Sequence, residues 1–378
     1  MFLGNGAYGV AAASKRYFGK DINQLDHHET ALIAGLFQSP GKYNPARHPE
    51  RAKTRQLQVL AAMKANKNLS TSEFDQYKEK KLDYLEYESS YGKIAPYFVD
   101  YVMEQANEIL EKEKISLKGT GLRIYTTLDS KLDRHAQRSF SESEHIFKKL
   151  DKNIIYDNRT KKEDVDVAQG SLLAIDRKTG NIVSMIGGRN YKKSQFNRAV
   201  HALRAPGSVF KTFVYSLGLN LGMDWNKQYF VAPVTIGNYR PRTQHSQLFS
   251  ETTMFESFYK SINSTAVLVG QDVGIDKVMT YVEKIGVETP LKEEAATFLG
   301  GSEVTLLDMG RAYMTIANDG HRKKLKSISR IEDREGNILY ENLEEESSKR
   351  ILKKKTYAVI KEGLKSVVRY GTGYKVRH

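Results

Sequence analysis

A serine and a lysine three positions apart give this sequence its first chemical possibility. In Phe196-Asn-Arg-Ala-Val-His-Ala-Leu-Arg-Ala-Pro206-Gly-Ser-Val-Phe-Lys211, Pro206-Gly207 reverses the chain, and the residues through Leu221 carry helical periodicity. Ser208 is therefore expected at a helix N-terminus, with Lys211 one turn on and on the same face. The positive end of the helix dipole favours a developing alkoxide there. The Ser208 N–H, outside the helical ladder, is free to help hold an oxyanion. A lysine amine within reach can take the hydroxyl proton if burial lowers its pKa from ~10.4 towards neutrality. Alone the pair is ambiguous, since a capping serine beside a snorkelling lysine has the same letters. A second element adds to it. Ser261-Ile-Asn263 closes a helical stretch opened by Thr253-Met-Phe-Glu256. There a hydroxyl can relay a proton to a leaving group while an amide binds a substrate amide.

The elements that must position these residues are legible in outline. From Ala11 to Met63 the pattern is helical with one break, at Pro40-Gly41 and Asn44-Pro45. Within it, Arg51 to Asn66 predicts a helix with one buried stripe of Leu57, Leu60, Ala61 and Lys64. Residues 67–95, charged and rich in tyrosine, suggest a helical hairpin or connector. Leu122-Arg-Ile-Tyr-Thr-Thr-Leu128 has strand composition, and Asp129 is a good cap for a helix running towards Lys149. The highly charged 151–166 suggests a surface loop. A first β-hairpin is expected over Ser171-Leu-Leu-Ala-Ile-Asp176 and Asn181-Ile-Val-Ser-Met-Ile186, with its turn at Lys178-Thr-Gly180. A second is expected over 328–332 and 338–340 around Glu335-Gly336-Asn337. Thr305-Leu-Leu-Asp308 is a capping box opening a helix with apolar face Leu306, Met309, Tyr313, Ile316 and Ala317.

Composition narrows the function classes. At 378 residues the chain exceeds the size at which single cores stop growing, so two domains or lobes are expected. The absence of cysteine removes disulfides, thiolate metal sites and cysteine nucleophiles. No stretch approaches the ~20 apolar residues of a spanning helix. The opening residues lack the basic n-region of a signal peptide, and Gly4, Gly6 and Gly9 interrupt their apolar run. A net charge of +14 points to an anionic partner, but no nucleic-acid recognition motif accompanies it. The histidines, His27-His28 included, show no metal-ligand spacing with acidic partners, so neither a metal nor a cofactor is predicted.

Ser-x-x-Lys and Ser-x-Asn, completed by Lys-Thr-Gly, are the set shared by penicillin-binding proteins and class A β-lactamases. The wider sequence resembles a class A penicillin-binding protein, the bifunctional builder of bacterial peptidoglycan. Gln195-Phe-Asn-Arg-Ala199, Arg204-Ala-Pro-Gly-Ser208, Leu122 to Asp129, Gly300-Gly-Ser-Glu-Val-Thr305 and Ala312-Tyr-Met-Thr-Ile-Ala-Asn-Asp-Gly320 carry that likeness. Leu3-Gly-Asn-Gly-Ala-Tyr-Gly9, Tyr17-Phe-Gly-Lys20 and Arg55-Gln-Leu-Gln-Val-Leu60 resemble the C-terminal half of the family's glycosyltransferase domain.

The resemblance implies an α+β chain with four parts. They are a partial lysozyme-like glycosyltransferase domain over 1–66, a helical connector over 67–121, a linker and the start of the transpeptidase region over 122–168, and a penicillin-binding transpeptidase domain over 169–378. That last domain would be a sheet with helices on both faces. The implied chemistry is acylation of Ser208 by the D-Ala-D-Ala end of a stem peptide, with Lys211 as base, and passage of the acyl group to a neighbouring strand's amine. Ser261 would take part in proton transfer, and Asn263 would hold the substrate amide. Arg55 would help bind a lipid diphosphate. The implied partners are stem peptides, lipid-linked glycan, β-lactams and, through an anchor this chain lacks, the outer face of the cytoplasmic membrane.

The family's Lys-Thr-Gly is not found downstream of Ser261. Lys178-Thr-Gly180 has the letters at a hairpin turn ahead of the serine and is taken as coincidence. The glycosyltransferase's Glu-Asp-x-x-Phe-x-x-His motif is absent too, and Glu29 is read as a helix-face residue. The chain is thus expected to be a fragment with impaired activity, since one lost oxyanion donor alone costs a factor of ~10²–10³. Two other readings stay open. One is a decayed wall-binding module without catalysis. The other is a serine β-lactamase, for which Glu303 is the nearest second base.

Overall fold

The computed structural model describes residues 3–4, 7, 9–45, 48–81, 83–84, 94–112, 114–115, 121–157, 168–237, 240, 249–343 and 349–377, with only the backbone of 154–157. The chain divides into two compact units, Met1–Pro96 and Tyr97–His378, and the division falls inside the stretch expected as a connector.

The first unit is helical because its termini are capped locally. Helix α1 (Val10–Phe18) stops at Gly19, whose φ of 70° is left-handed and whose N–H closes onto Lys15. Helix α2 (His27–Leu36) starts at Asp26 in a reciprocal capping box with Glu29. Glu29 is thus more than a helix-face residue: it is buried, and its Oε1 accepts from Lys20 at 2.6 Å. Helix α3 (Pro49–Ala65) opens with proline, and α4 (Thr71–Glu79) with a Ser70–Glu73 capping box. The helical run expected to break once breaks twice, the first time at Gly19. Parts of the 3–9 and 82–93 stretches lie outside the described residues.

The stripe expected on α3 is also shifted. Its buried line is Ala52, Gln56 and Leu60, and Ala61 is exposed. Gln56 is fully buried because its Nε2 donates to the His28 carbonyl at 2.7 Å. A count of apolar letters misses a glutamine that closes a buried backbone acceptor.

The second unit opens with α5 (Pro96–Lys112) and strand β1 (Arg123–Thr126). Asp129 then caps α6 (Ser130–Glu142), its carboxylate accepting from the N–H groups of Lys131 and Leu132. The helix expected to reach Lys149 breaks at Ser143 and resumes as α7 (Glu144–Asp157). Part of the charged segment expected as a loop is therefore helical; 158–167 lie outside the described residues. Arg189 accounts for the extension, bonding both Glu144 and Asp151 along one face of α7.

Strands β2 (Leu172–Ile175) and β3 (Ile182–Ile186) form the first expected hairpin. Asp176 Oδ1 accepts from the backbone N–H groups of Lys178 and Thr179 and from the Thr179 hydroxyl, so Lys178-Thr-Gly180 is a turn held by its own aspartate. The hairpin has helices on both faces. Leu173 and Ile175 face Gly310 of α13 (Leu306–Ala317). On the opposite pleat Ser184 donates to Asp133 of α6 at 2.6 Å. Strands β6 (Ile328–Glu332) and β7 (Ile338–Glu341) form the second expected hairpin, which β1 joins in the order β1-β6-β7. Strands β4 (Gln228–Val231) and β5 (Ser250–Thr253) make a separate pair.

Helices α8 (Arg198–His201), α9 (Lys211–Asn220), α10 (Met254–Tyr259), α11 (Asn263–Val273), α12 (Ile275–Ile285) and α14 (Lys354–Arg369) complete the unit with α13. The expected Thr305–Asp308 capping box opens α13. Its buried face takes in Leu307, Met314 and Thr315 beyond the expected stripe, while Ala317 is exposed. The principal core gathers Phe210, Phe213, Val214, Tyr215, Phe258 and Val269 from α9, α10 and α11 and the turn before α9. No helix among the described residues is long and apolar enough to cross a membrane.

Candidate active site

Ser208 does not begin an α-helix, as the periodicity suggests. It lies in a 3₁₀ turn, Gly207–Phe210, that leads into α9 at Lys211. The turn starts on Gly207 at φ 60°. It is packed so closely on Gly300 that a Cβ there would lie 2.2 Å from the Gly207 carbonyl oxygen. The Gly207 N–H donates to Gly300 O at 3.2 Å, and an isolated Arg204–Val304 bridge ties the preceding residues to the same loop. Phe210, fully buried, anchors the turn in the core. Ser208 itself is exposed, and among the described residues its hydroxyl and N–H have no hydrogen-bond partner. Both are available to a ligand.

Lys211 points inward and is only 3% exposed. Its Nζ donates to Ser261 O at 2.7 Å, Ser261 Oγ at 3.1 Å and Asn263 Oδ1 at 2.6 Å. Three acceptors match the three N–H bonds of an ammonium, and among the described residues no carboxylate pairs with it. Desolvation by burial lowers its pKa to about 8. The structure thus brings Lys211, Ser261 and Asn263 together. It does not hydrogen-bond Ser208 to Lys211, because the amine's donors are all taken by the Ser261–Asn263 element.

That element is built by how α10 ends. Thr253 caps α10 through the Glu256 N–H at 3.0 Å. At the other end, Ser261 N–H donates to Phe258 O and Ile262 N–H to Ser257 O, a Schellman closure. The left-handed residue of that closure is Ser261, at φ 58°, where glycine is the usual choice. The conformation turns both the carbonyl and the hydroxyl of Ser261 onto Lys211. A non-glycine residue held there costs ~1–3 kcal/mol. Asn263 follows as the first residue of α11.

Arg55 belongs to the other unit. Its Nη1 donates to Gln58 Oε1 at 2.9 Å, its guanidinium lies 5.8 Å from the Tyr43 ring centroid, and its buried Nε has no partner among the described residues. Glu303 is exposed and bonds neither Ser208 nor Lys211. A cleft of about 1080 Å³ lies beside the segment entering the turn, lined by Phe196, Arg198, Arg204, Pro206, Glu303 and Met309, and none of the four central residues lines it. Sequence spacing did not single out Gly300 or Tyr313 as parts of the site. Both lie in segments that carry the family resemblance, which is the one signal that could have found them.

The family model for the penicillin binding protein transpeptidase domain matches residues 170–377, and that for transglycosylase matches 1–64. The chain is 31% identical to penicillin-binding protein 1A of Aquifex aeolicus, over 98% of this chain and 60% of that protein. It is 29% identical to penicillin-binding protein 2D of Bacillus subtilis, over 90% of this chain and 48% of that protein. The chain therefore spans about half to three fifths of the length of these curated relatives. Its fold is similar to the crystal structure of penicillin-binding protein 1A from Haemophilus influenzae, with a TM-score of 0.78, 20% identity, and coverage of 99% of this chain and 73% of that one. A matched transpeptidase domain over more than half the chain, behind a transglycosylase segment, places this protein in the class A penicillin-binding protein family.

Proposed function

We propose that Ser208, Lys211, Ser261 and Asn263 form the acyl-transfer site of a D,D-transpeptidase that cross-links peptidoglycan stem peptides and is acylated by β-lactams. The observation that carries this reading is a buried lysine with a pKa of about 8, held by the Ser-x-Asn element one turn after an exposed serine that has no hydrogen-bond partner among the described residues. At pH 7 a pKa of about 8 leaves roughly a tenth of the amine neutral, some 300 times more than an ordinary lysine.

Neutrality also changes the hydrogen bonding. An amine has two N–H donors and a lone pair, so one of its three acceptors must be released. The longest bond, to Ser261 Oγ, is the weakest, and its loss frees the amine's lone pair to accept the Ser208 proton. Lys211 then takes the Ser208 proton as Oγ attacks the carbonyl carbon. The new Oγ–C bond forms and the C–N bond breaks. A proton passes from Lys211 through the Ser261 hydroxyl to the leaving nitrogen. The Ser208 N–H stabilises the oxyanion, and the Asn263 amide orients the peptide. Deacylation by a second strand's amine returns the enzyme.

In this reading residues 1–66 belong to a glycosyltransferase domain acting on lipid-linked glycan, with Arg55 holding a diphosphate. Residues 67–121 connect the domains, 122–168 lead into the transpeptidase region, and 169–378 form that domain. The substrates place the work at the outer face of the cytoplasmic membrane. Intact-mass measurement after incubation with benzylpenicillin tests the site: an adduct of one penicillin mass is expected, lost in Ser208→Ala. No adduct on the wild-type chain, or one that persists in Ser208→Ala, refutes the assignment.

A further inference from the structure

Ser208 has no side-chain hydrogen bond of its own among the described residues, so the backbone turn alone decides where its hydroxyl stands. Packing holds the turn at its two ends, Gly207 against Gly300 and Phe210 in the core. Phe210 is fully buried, but Val209 exposes 52% of its surface and anchors nothing. Between Ser208 and Phe210 the turn is held by a distant helix. Tyr313, in α13, donates its phenolic O–H to the Val209 carbonyl at 2.9 Å. The same oxygen lies 2.9 Å from Thr212 Oγ1. Tyrosine has one proton, and a carbonyl can only accept, so the Thr212 hydroxyl must be the donor in the second contact. The Tyr313 ring packs on Phe213 with centroids 5.2 Å apart, which fixes the direction of its hydroxyl. Burial raises the Tyr313 pKa above its ordinary value, so the donor proton is retained at any working pH.

Two hydrogen bonds therefore bracket the nucleophile. One joins the residue before it, through Gly207 N–H, to Gly300 O at 3.2 Å. The other joins the residue after it, through Val209 C=O, to Tyr313. We propose that Tyr313 is a positioning residue for acylation, pinning the Ser208 turn through Val209 and, with Thr212, tying it to the first turn of α9 that carries Lys211. The inference rests on Ser208 being the acylated residue. Without the phenolic donor, Ser208 loses registration with the amine and with an incoming carbonyl while remaining covalently in place. Misplacement of reacting atoms by about 1 Å costs up to ~10²-fold in rate.

The test is acylation of the full chain by a fluorescent penicillin, resolved into the dissociation constant of the first complex and the acylation rate constant at saturation. Tyr313→Phe removes one oxygen and keeps the ring. It is expected to slow acylation about tenfold or more with the dissociation constant unchanged. It should also speed amide exchange of peptides covering 207–213. Thr212→Val, which leaves the Tyr313–Val209 bond, should slow acylation less. A Tyr313→Phe chain that melts earlier yet acylates at the wild-type constant has lost only stability, and that result overturns the inference. A wild-type chain that forms no adduct overturns the Ser208 reading, and the inference with it.

Discussion

The ionisation of Lys211 makes two measurements move together. Its pKa of about 8 in the fold against 10.5 for a free lysine means the folded state binds its proton less tightly, by about 3 kcal/mol. Burial is the cause, so the charged lysine destabilises the fold at every pH below 8. Between pH 8 and 10.5 the unfolded chain binds more protons than the folded one, and stability from this residue rises with pH. From pH 8 to pH 10 the gain is about 2 kcal/mol. Tyrosines and other lysines titrate in the same interval, so the quantity to measure is a difference. Denaturant unfolding of wild type and Lys211→Met at pH 8 and pH 10 should differ in their pH dependence by that amount, wild type gaining more. The substitution also leaves Ser261 O, Ser261 Oγ and Asn263 Oδ1 without their donor, which lowers stability at both pH values and cancels. The acylation rate of wild type by a β-lactam should rise through about pH 8 as one proton is lost and level off about one pH unit above that. Equal pH dependence of stability in the two proteins, or an acylation profile still rising near pH 10, would refute the claim that burial tunes this amine.

Two further expectations follow from neighbours of the same amine and turn. Asn263→Asp puts a carboxylate where Oδ1 now sits 2.6 Å from Lys211 Nζ, so the lysine's pKa should rise. The acylation profile should then move to higher pH, and an unmoved midpoint would show that this contact does not govern the base. Gly300→Ala sets a Cβ 2.2 Å from the Gly207 carbonyl oxygen at a residue with φ 75°. It should cost about 1–3 kcal/mol or more in thermal unfolding and slow acylation, because the displaced group is the turn of Ser208.

What was legible in the sequence was local. The Asp129 cap, the Thr305–Asp308 box, the turn of Lys178-Thr-Gly180 and both hairpins depend on groups within a few residues of one another, and each stands where the pattern put it. The α3 stripe failed for the opposite reason: Gln56 is buried by a bond to a carbonyl in α2, which no periodicity in α3 records. The helix past the break, α7, is held at Glu144 and Asp151 by Arg189, far along the chain.

The candidate site divides in the same way. Residue types and spacing singled out the four side chains proposed above for acyl transfer, and the wider motifs carried the resemblance to the family. The tertiary structure alone decided their relations. It buried Lys211, turned Ser261 into a left-handed cap that faces the amine, and set Asn263 beside it. It left Ser208 exposed in a 3₁₀ turn held by Gly300 and Tyr313. The physical reason is range. Capping and turn formation are settled by bonds a few residues long, whereas desolvation and the aim of a hydroxyl depend on which distant segments close around it.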